Sequence, residues 1–454
     1  MNENVKDIRE PIFYLTNDIS HGLGLEKLLP NYHIICIDDH PLVDYLINDG
    51  RKVFCLERVL RKKNIIFRIS GKLLEQPEVR TYIKQNSGGK IPNILYFKPS
   101  PKLESLCRQF GYRNLGNSVS LNRLFEDKIS FFKICQELGL TVPKGEIVSL
   151  AEADFGRLKG EYGPKMVVQF GRGWAGSTTF FLENREEFNI LKRQFGKIKV
   201  KVSQFIEGKT VLNNGCVTRD GILVGPAAEQ LTAINGFTAK KGGTCGRVWP
   251  AKLNQKQEME IEKLTRKIGR EMQKKGYLGY FGLDFLIEEK TDRVFLSENN
   301  ARFTASAPFF TKLEILEGRL PLMFYHLEAF LGEDAKIQTC LPARQGYKDT
   351  KILGSEVIVR NTARVPIMVK KDFRPGVYRQ EKGELRFLRA AYDIEGVKNQ
   401  EEFFFTAAAR GRLVNPEIEL IRFNSLASVL DDSGEITPWM KSILVGIKEK
   451  LVSR

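Results

Sequence analysis

The sequence predicts a multidomain protein of mixed α/β and α+β class. Three observations carry that expectation. Short apolar strands alternate with helices over residues 1–118, as in a small, mostly parallel sheet. A basic amphipathic helix and an acidic hairpin follow near residues 256–302, and β-type segments with polar turns fill residues 351–430. The chain has 454 residues, which at about 100–200 residues per domain allows two to four domains.

In the first region, strands are expected at Ile12–Leu15, His33–Ile37, Lys52–Leu56, Ile65–Ile69 and Ile94–Phe97. Helices are expected near Leu23–Leu29, Leu42–Asn48, Leu73–Gln85 and Lys102–Phe110. Gly22 and Gly24 follow the first strand, but a lone Gly-x-Gly is weak evidence for dinucleotide binding. Residues 119–143 have helical apolar spacing, with Ser120 and Asn122 as candidate caps, Lys128 within the helix, and Gly139 and Pro143 as the stop. A strand at Met166–Phe170 leads into the Gly-rich turn Gly171–Thr179. Strand Phe180–Leu182, helix Arg185–Phe195 and strand Val200–Ile206 come next. Successive N–H groups in such a turn form an anion-binding concavity, and Ser and Thr hydroxyls add donors; a plain flexible turn is the alternative. Helices follow at residues 256–275, Phe309–Leu316 and Leu320–Leu331. The tail reads as strands Glu356–Arg360, Pro366–Val369, Leu385–Tyr392 and Glu417–Phe423, closed by helix Trp439–Val452.

The acidic hairpin is the most informative stretch. Tyr280–Ile287 and Val294–Ser297, running on to Asn300, read as two strands around the polar turn Glu288–Arg293. Asp284 lies in an otherwise apolar strand, where an unpaired carboxylate is costly. Glu298, Asn300 and Arg302 recur at every second position, so in an extended chain they face one way. Two carboxylates and an amide oxygen make a hard-cation site of the kind Mg²⁺ prefers, and the Arg suits a phosphate or carboxylate. The competing reading is a hairpin whose acids pair with Lys or Arg.

Composition narrows the classes. Seven Cys, with no Cys-x-x-Cys, suggest neither a zinc site nor a disulfide framework, and four His lack ligand or triad spacing. No apolar run nears the ~18–20 residues that span a bilayer, and the N-terminus lacks a secretory pattern, so no membrane partner and a cytoplasmic location are expected. The net charge is +16. No nucleic-acid-reading motif accompanies it, so nucleic acid is not the expected partner; an anionic small molecule such as ATP with Mg²⁺ explains part of the positive field.

In this order, the α/β region, Lys128 helix, Gly turn, Phe205-Ile206-Glu207-Gly208 and Glu298-Asn-Asn300-Ala-Arg302 resemble the ATP-grasp superfamily. The similarity is to its carboxylate–amine ligases and its biotin carboxylase-like branch, and it covers roughly residues 10–430. The resemblance implies a Rossmann-like pre-ATP-grasp domain at 1–118, an ATP-grasp domain at 119–335 with a lid subdomain at about 143–207, and a β-rich C-terminal domain at 336–454. It implies metal ligands at Asp284, Glu298 and Asn300, Arg302 steadying a phosphorylated intermediate, and Lys128 reaching the ATP phosphates. Gly171, Arg172, Gly173, Gly176, Ser177 and Thr178 would form the lid, Gln204, Phe205 and Ile206 the adenine hinge, and Thr210 would stand where relatives place a ribose-binding acid. Arg247, in Gly242–Arg247, is a second candidate for holding the intermediate, with a surface loop as its alternative.

Departures matter as much. Gln169 stands where the pattern has a phosphate-binding Lys, with Arg172 or Lys165 as candidates to compensate. Phe303-Thr-Ala-Ser306 replaces the Glu-His pair of a biotin carboxylase, although Arg360 matches an Arg of that family's C-terminal domain. The resulting expectation is an ATP-dependent ligase with two Mg²⁺ ions, Mn²⁺ being an alternative metal. It would activate a carboxylate as an acyl phosphate and join it to an amine. A carboxyphosphate-forming enzyme and a non-catalytic ATP-binding protein are the alternatives, and a homodimer is suggested by analogy alone.

Overall fold

The computed structural model describes residues 10–172, 178–332, 352–381 and 384–452. Its first sheet is parallel throughout and runs, edge to edge, Lys52–Cys55, Tyr32–Cys36, Ile12–Thr16, Asn93–Tyr96 and Arg113–Asn114. Both faces are covered, so the middle strand Ile12–Thr16 is buried at every position. The strand order reverses beside it, which opens a crevice at its C-terminal end.

Three expectations fail in this region for local reasons. Ile65–Ile69 joins no sheet; Ile66 is 94% exposed and Ile69 also faces solvent. Leu23–Leu29 is not a helix. Gly24 adopts φ +137° and its N–H donates to Glu26, so Leu23, Leu25 and Leu29 enter the core from a loop that follows a short 3-10 turn, Ile19–Gly22. The helix expected at Leu73–Gln85 is two, Ser70–Leu74 and Pro77–Asn86, broken because Pro77 cannot continue the first.

Residues 119–143 likewise form two helices, Val119–Glu126 and Lys128–Glu137. Ser118 caps the first, where Ser120 or Asn122 was expected. Asp127 caps the second by accepting from the Ile129 and Ser130 N–H groups. Lys128 thereby becomes a first-turn residue with a fixed direction. A four-stranded antiparallel sheet follows, in the order Gly145–Ser149, Lys199–Gln204, Met166–Phe170, Thr179–Leu182.

The largest sheet has ten strands: Val294–Asn300, Gly279–Glu288, Gly208–Val217, Ile222–Thr232, Thr244–Trp249, Gly354–Arg360, Glu419–Ser425, Glu402–Ala407, Gly376–Glu381 and Glu384–Ala390. Ile261, Leu264, Ile268 and Met272 of helix Gln255–Lys274 pack with Phe281, Leu283 and Phe285. Helices Ala307–Leu316 and Leu322–Leu331 share a second core with Trp249 and Tyr280, where Trp249 stacks on Phe310 at 5.5 Å. No helix among the described residues is long and apolar enough to cross a membrane.

Two ion-pair knots tie the sheets together. The buried Lys312 ammonium meets Glu26 of the first region, and Asp393 and Glu395 of the last at 3.1 and 2.8 Å. These three acids lie close enough to hold a cation, and Lys312 and Lys27 are the cations they face. Arg412 spans from the tail to Glu57 at 2.7 Å and Asp38 at 3.2 Å.

His326 links the second core to the large sheet. Its Nδ1 accepts from the Tyr280 N–H at 3.0 Å, so Nε2 carries the proton and donates to the Leu115 carbonyl. Gly279 permits this approach, since a Cβ there would lie 2.3 Å from Nδ1. Burial holds the imidazole down at about 4. The folded-state value lies below the unfolded one, so this stability is present above pH ~6.5 and is lost as pH falls toward 4. About 3 kcal/mol is expected to go over that window. Denaturant unfolding across pH 4–7 should show this loss, with a flatter profile for His326→Gln.

Candidate active site

The floor of the site is built by register. Asp284 lies directly opposite Glu298 in the antiparallel pair Gly279–Glu288 and Val294–Asn300, beside an irregularity at Asp284/Phe285. Asp284 accepts from Gln230 Nε2 at 2.7 Å and from Asn300 Nδ2 at 3.0 Å. Desolvation first, and the Glu298 charge second, push the Asp284 carboxyl up to about 6. Glu298 pairs with Lys128 Nζ at 2.9 Å and accepts from Gln169 Nε2 at 3.3 Å. The Gln169 carbonyl oxygen in turn accepts from the buried Lys201 ammonium at 3.2 Å.

Arg302 closes one end. Its guanidinium donates to Glu126 at 3.2 Å, to Asn300 Oδ1 at 2.9 Å and to the Phe303 carbonyl at 2.9 Å, and it lies 4.7 Å over the Phe97 ring. Lys98 also holds Glu126, at 2.7 Å. Asn300 therefore turns its nitrogen to Asp284 and its oxygen to Arg302. The next residues carry no acid: Thr304 and Ser306 hydrogen-bond to each other at 2.8 Å and to Asn214.

Arg247 is a strand residue of Thr244–Trp249, not a surface-loop residue, and only 8% exposed. It stands between Gln230 and Glu356 in register, and its Nη1 donates to Glu356 at 3.3 Å. Burial pulls its pKa down. Glu356, with no exposure, also binds Arg422 at 2.5 Å, and Arg422 reaches Glu419 at 2.7 Å. Arg360 donates to the Glu417 and Thr244 carbonyls, and so ties strands together.

The expected lid is described in part. Gly173, Gly176 and Ser177 lie outside the described residues. Gly171 packs on Asp127, where a Cβ would come within 2.6 Å of Oδ2, and its carbonyl accepts from the Lys128 N–H. Thr178 gives its carbonyl to the Phe170 N–H. At the hinge, the Gln204 and Phe205 N–H groups donate to the Lys144 and Lys165 carbonyls. The Ile206 N–H has no backbone acceptor among the described residues. Thr210 sits on Gly208–Val217 opposite Leu286. Neither candidate compensator reaches Gln169: Arg172 is largely exposed and 3.9 Å from Asp127, and Lys165 pairs with Glu183 and lies over the Phe205 ring.

Sequence reasoning missed Lys201, Gln230, Glu356 and Arg422. For Glu356 the available signal was a lone charge inside an apolar strand, the same signal that exposed Asp284; Lys201 alternates with Lys197 and Lys199, a pattern that reads as a solvated face, and Gln230 carries no charge. The donor set fits a divalent cation: the Glu298 charge adds to the cost of ionising the buried Asp284 beside it, and a cation relieves that cost. The Asn300 amide would have to rotate to present its oxygen to a metal beside Asp284.

Residues 125–306 match the ATP-grasp domain family. No curated protein matches the chain in sequence. Its fold is similar to biotin carboxylase from Campylobacter jejuni, with TM-score 0.62, 14% identity and coverage of 92% of this chain and 87% of that one. The biotin carboxylase domain of 2-oxoglutarate carboxylase from Hydrogenobacter thermophilus, solved with MgADP, ADP and bicarbonate, gives TM-score 0.60 at 13% identity over 92% and 86%. N5-carboxyaminoimidazole synthase from Aspergillus clavatus, solved with ADP and 5-aminoimidazole ribonucleotide, gives TM-score 0.58 at 12% identity over 96% and 98%.

The Arg247–Glu356–Arg422 group yields a stability prediction. Glu356→Ala leaves two buried guanidinium groups without their shared carboxylate and should cost about 3–5 kcal/mol in denaturant unfolding. A loss below about 1 kcal/mol would show that water or Glu419 already compensates them.

Proposed function

We propose that this chain, a member of the ATP-grasp superfamily through its domain at residues 125–306, is an ATP- and Mg²⁺-dependent enzyme that phosphorylates a carboxylate-type acceptor. In this reading the acceptor is bicarbonate, the intermediate is carboxyphosphate, and a nitrogen nucleophile other than biotin's ureido group receives the carboxyl group as phosphate leaves. The observation that carries the reading is the floor constellation: Lys128 on Glu298, Glu298 opposite Asp284, and Asn300 bridging Asp284 to Arg302. Bicarbonate is favoured because the folds similar over 92–96% of this chain are those of carboxylating proteins.

Asp284, Glu298 and Asn300 would hold the metal. Bound Mg²⁺ would neutralise charge on the terminal phosphates during in-line transfer. Asp127 already occupies the first N–H groups of helix Lys128–Glu137, so the Lys128 ammonium, rather than the helix terminus, is the group that meets phosphate. Arg302, braced by Glu126 and Phe97, would hold the acceptor anion while its carbon–oxygen–phosphorus linkage forms. The turn after Gly171 would cover the phosphates and exclude water, which would otherwise hydrolyse the mixed anhydride.

A second reading is the amide-forming ligase, with an organic carboxylate in place of bicarbonate. Thr304 and Ser306 favour it, since they fill with hydroxyls the segment where a biotin carboxylase carries its base.

Release of ADP should be followed in bicarbonate-free buffer, and again with ¹⁸O-bicarbonate. The bicarbonate reading predicts stimulated release with label appearing in phosphate. Stimulation by a carboxylic acid alone, with hydroxylamine trapping a hydroxamate, would instead support the second reading. Glu298→Gln should lower turnover on the order of 100-fold or more in either case; unchanged turnover would remove the site from catalysis.

A further inference from the structure

Lys201 is a buried cation that the expected chemistry leaves unused. Its side chain is 3% exposed. Its ammonium donates to the Gln169 carbonyl oxygen at 3.2 Å and lies 5.1 Å from the Phe132 ring. No carboxylate stands within ion-pair distance among the described residues. An amide and a ring face compensate a buried ammonium only in part, so the position is costly unless an anion arrives.

The surroundings say where that anion would be. Gln169 and Lys201 are partners across antiparallel strands Met166–Phe170 and Lys199–Gln204, so they project from one face of the sheet. Gln169 reaches Glu298 from that face, and Lys128 reaches Glu298 from its helix. Lys128, Gln169 and Lys201 thus gather around the Glu298 end of the floor. The charged and titratable groups acting on Lys201 are Glu298 from the floor and Cys135 and Lys128 from helix Lys128–Glu137. Burial dominates and holds its pKa down at about 8, as for an ammonium short of negative charge.

We propose that Lys201 is the lid-sheet cation that binds the nucleotide's polyphosphate, supplied from the strand next to the one on which position 169 lies. This rests on the ATP reading above. Gln169 is a positioning residue: its carbonyl fixes Lys201 and its amide nitrogen fixes Glu298. A Lys at 169 beside Lys201 would set two ammonium groups side by side, which explains why only one of the pair is basic. Arg172 and Lys165 have no part in it.

Calorimetric binding of AMP, ADP and a non-hydrolysable ATP analogue with Mg²⁺ tests the assignment in wild type, Lys201→Met, Gln169→Lys and the exchange variant Gln169→Lys/Lys201→Gln. Lys201→Met should weaken ADP and the ATP analogue by about tenfold or more and AMP less. Gln169→Lys alone should not strengthen binding, and the exchange variant should return to within about threefold of wild type. Equal affinity of Lys201→Met and wild type for the ATP analogue overturns the assignment alone. Absence of any nucleotide binding by wild type overturns the ATP reading with it. Should Lys201→Met not fold, the exchange variant decides: restored binding supports the proposal, and a folded exchange variant without binding contradicts it.

Discussion

Two carboxylates facing each other across one antiparallel pair set the terms for everything around them. Asp284 and Glu298 are direct partners, and burial and then the Glu298 charge raise the cost of ionising Asp284. Each oxygen is therefore met by a donor from a different part of the chain. Lys128 comes from a capped helix, Gln169 from the small sheet, Gln230 from the large sheet, and Asn300 from the hairpin itself. The hairpin is local in sequence, but its electrostatics depend on the other elements. A cation placed between the two acids would satisfy the same constraint, which is why the floor suits both a folded protein and a metal.

The walls are held by charges of another kind. Lys312 with its three acids, Arg412 with Glu57 and Asp38, and Glu356 between Arg247 and Arg422 are all substantially buried and all join segments far apart in sequence. Buried ion pairs add little net stability over apolar packing, but losing one partner is expensive. The Lys312 and Arg412 groups tie the first region to the rest of the chain, while the Glu356 group holds neighbouring strands of the large sheet. The tie to the first region fixes where Phe97 lies under Arg302, and hence the end of the cleft at which an acceptor would be held.

Local patterns were legible in the sequence. The acidic hairpin, helix Arg185–Phe195 and helix Leu42–Asn48 stand where apolar spacing put them, because turn residues and periodicity are properties of adjacent residues. The central strands Gly208–Val217, Ile222–Thr232 and Thr244–Trp249 were not legible. They mix Gly, Pro226, Asn213 and Asn214 with apolar residues, and their strand character comes from pairing on both edges. Missing them made Arg247 look equally suited to a loop and hid Gln230, since both are defined by cross-strand register. Lys201 was hidden for the same reason: it neighbours Gln169 only across two paired strands. Lys128 could be placed on a helix from its neighbours, but its contact with Glu298 spans most of the ATP-grasp match.

The most direct test is a crystal structure with Mg²⁺ and a non-hydrolysable ATP analogue. The predicted result is a metal about 2.0–2.1 Å from oxygens of both Asp284 and Glu298, with the Lys128 ammonium moved from Glu298 onto a phosphate. A nucleotide whose phosphates lie elsewhere, with the Lys128–Glu298 pair intact and no metal at Asp284, would contradict it.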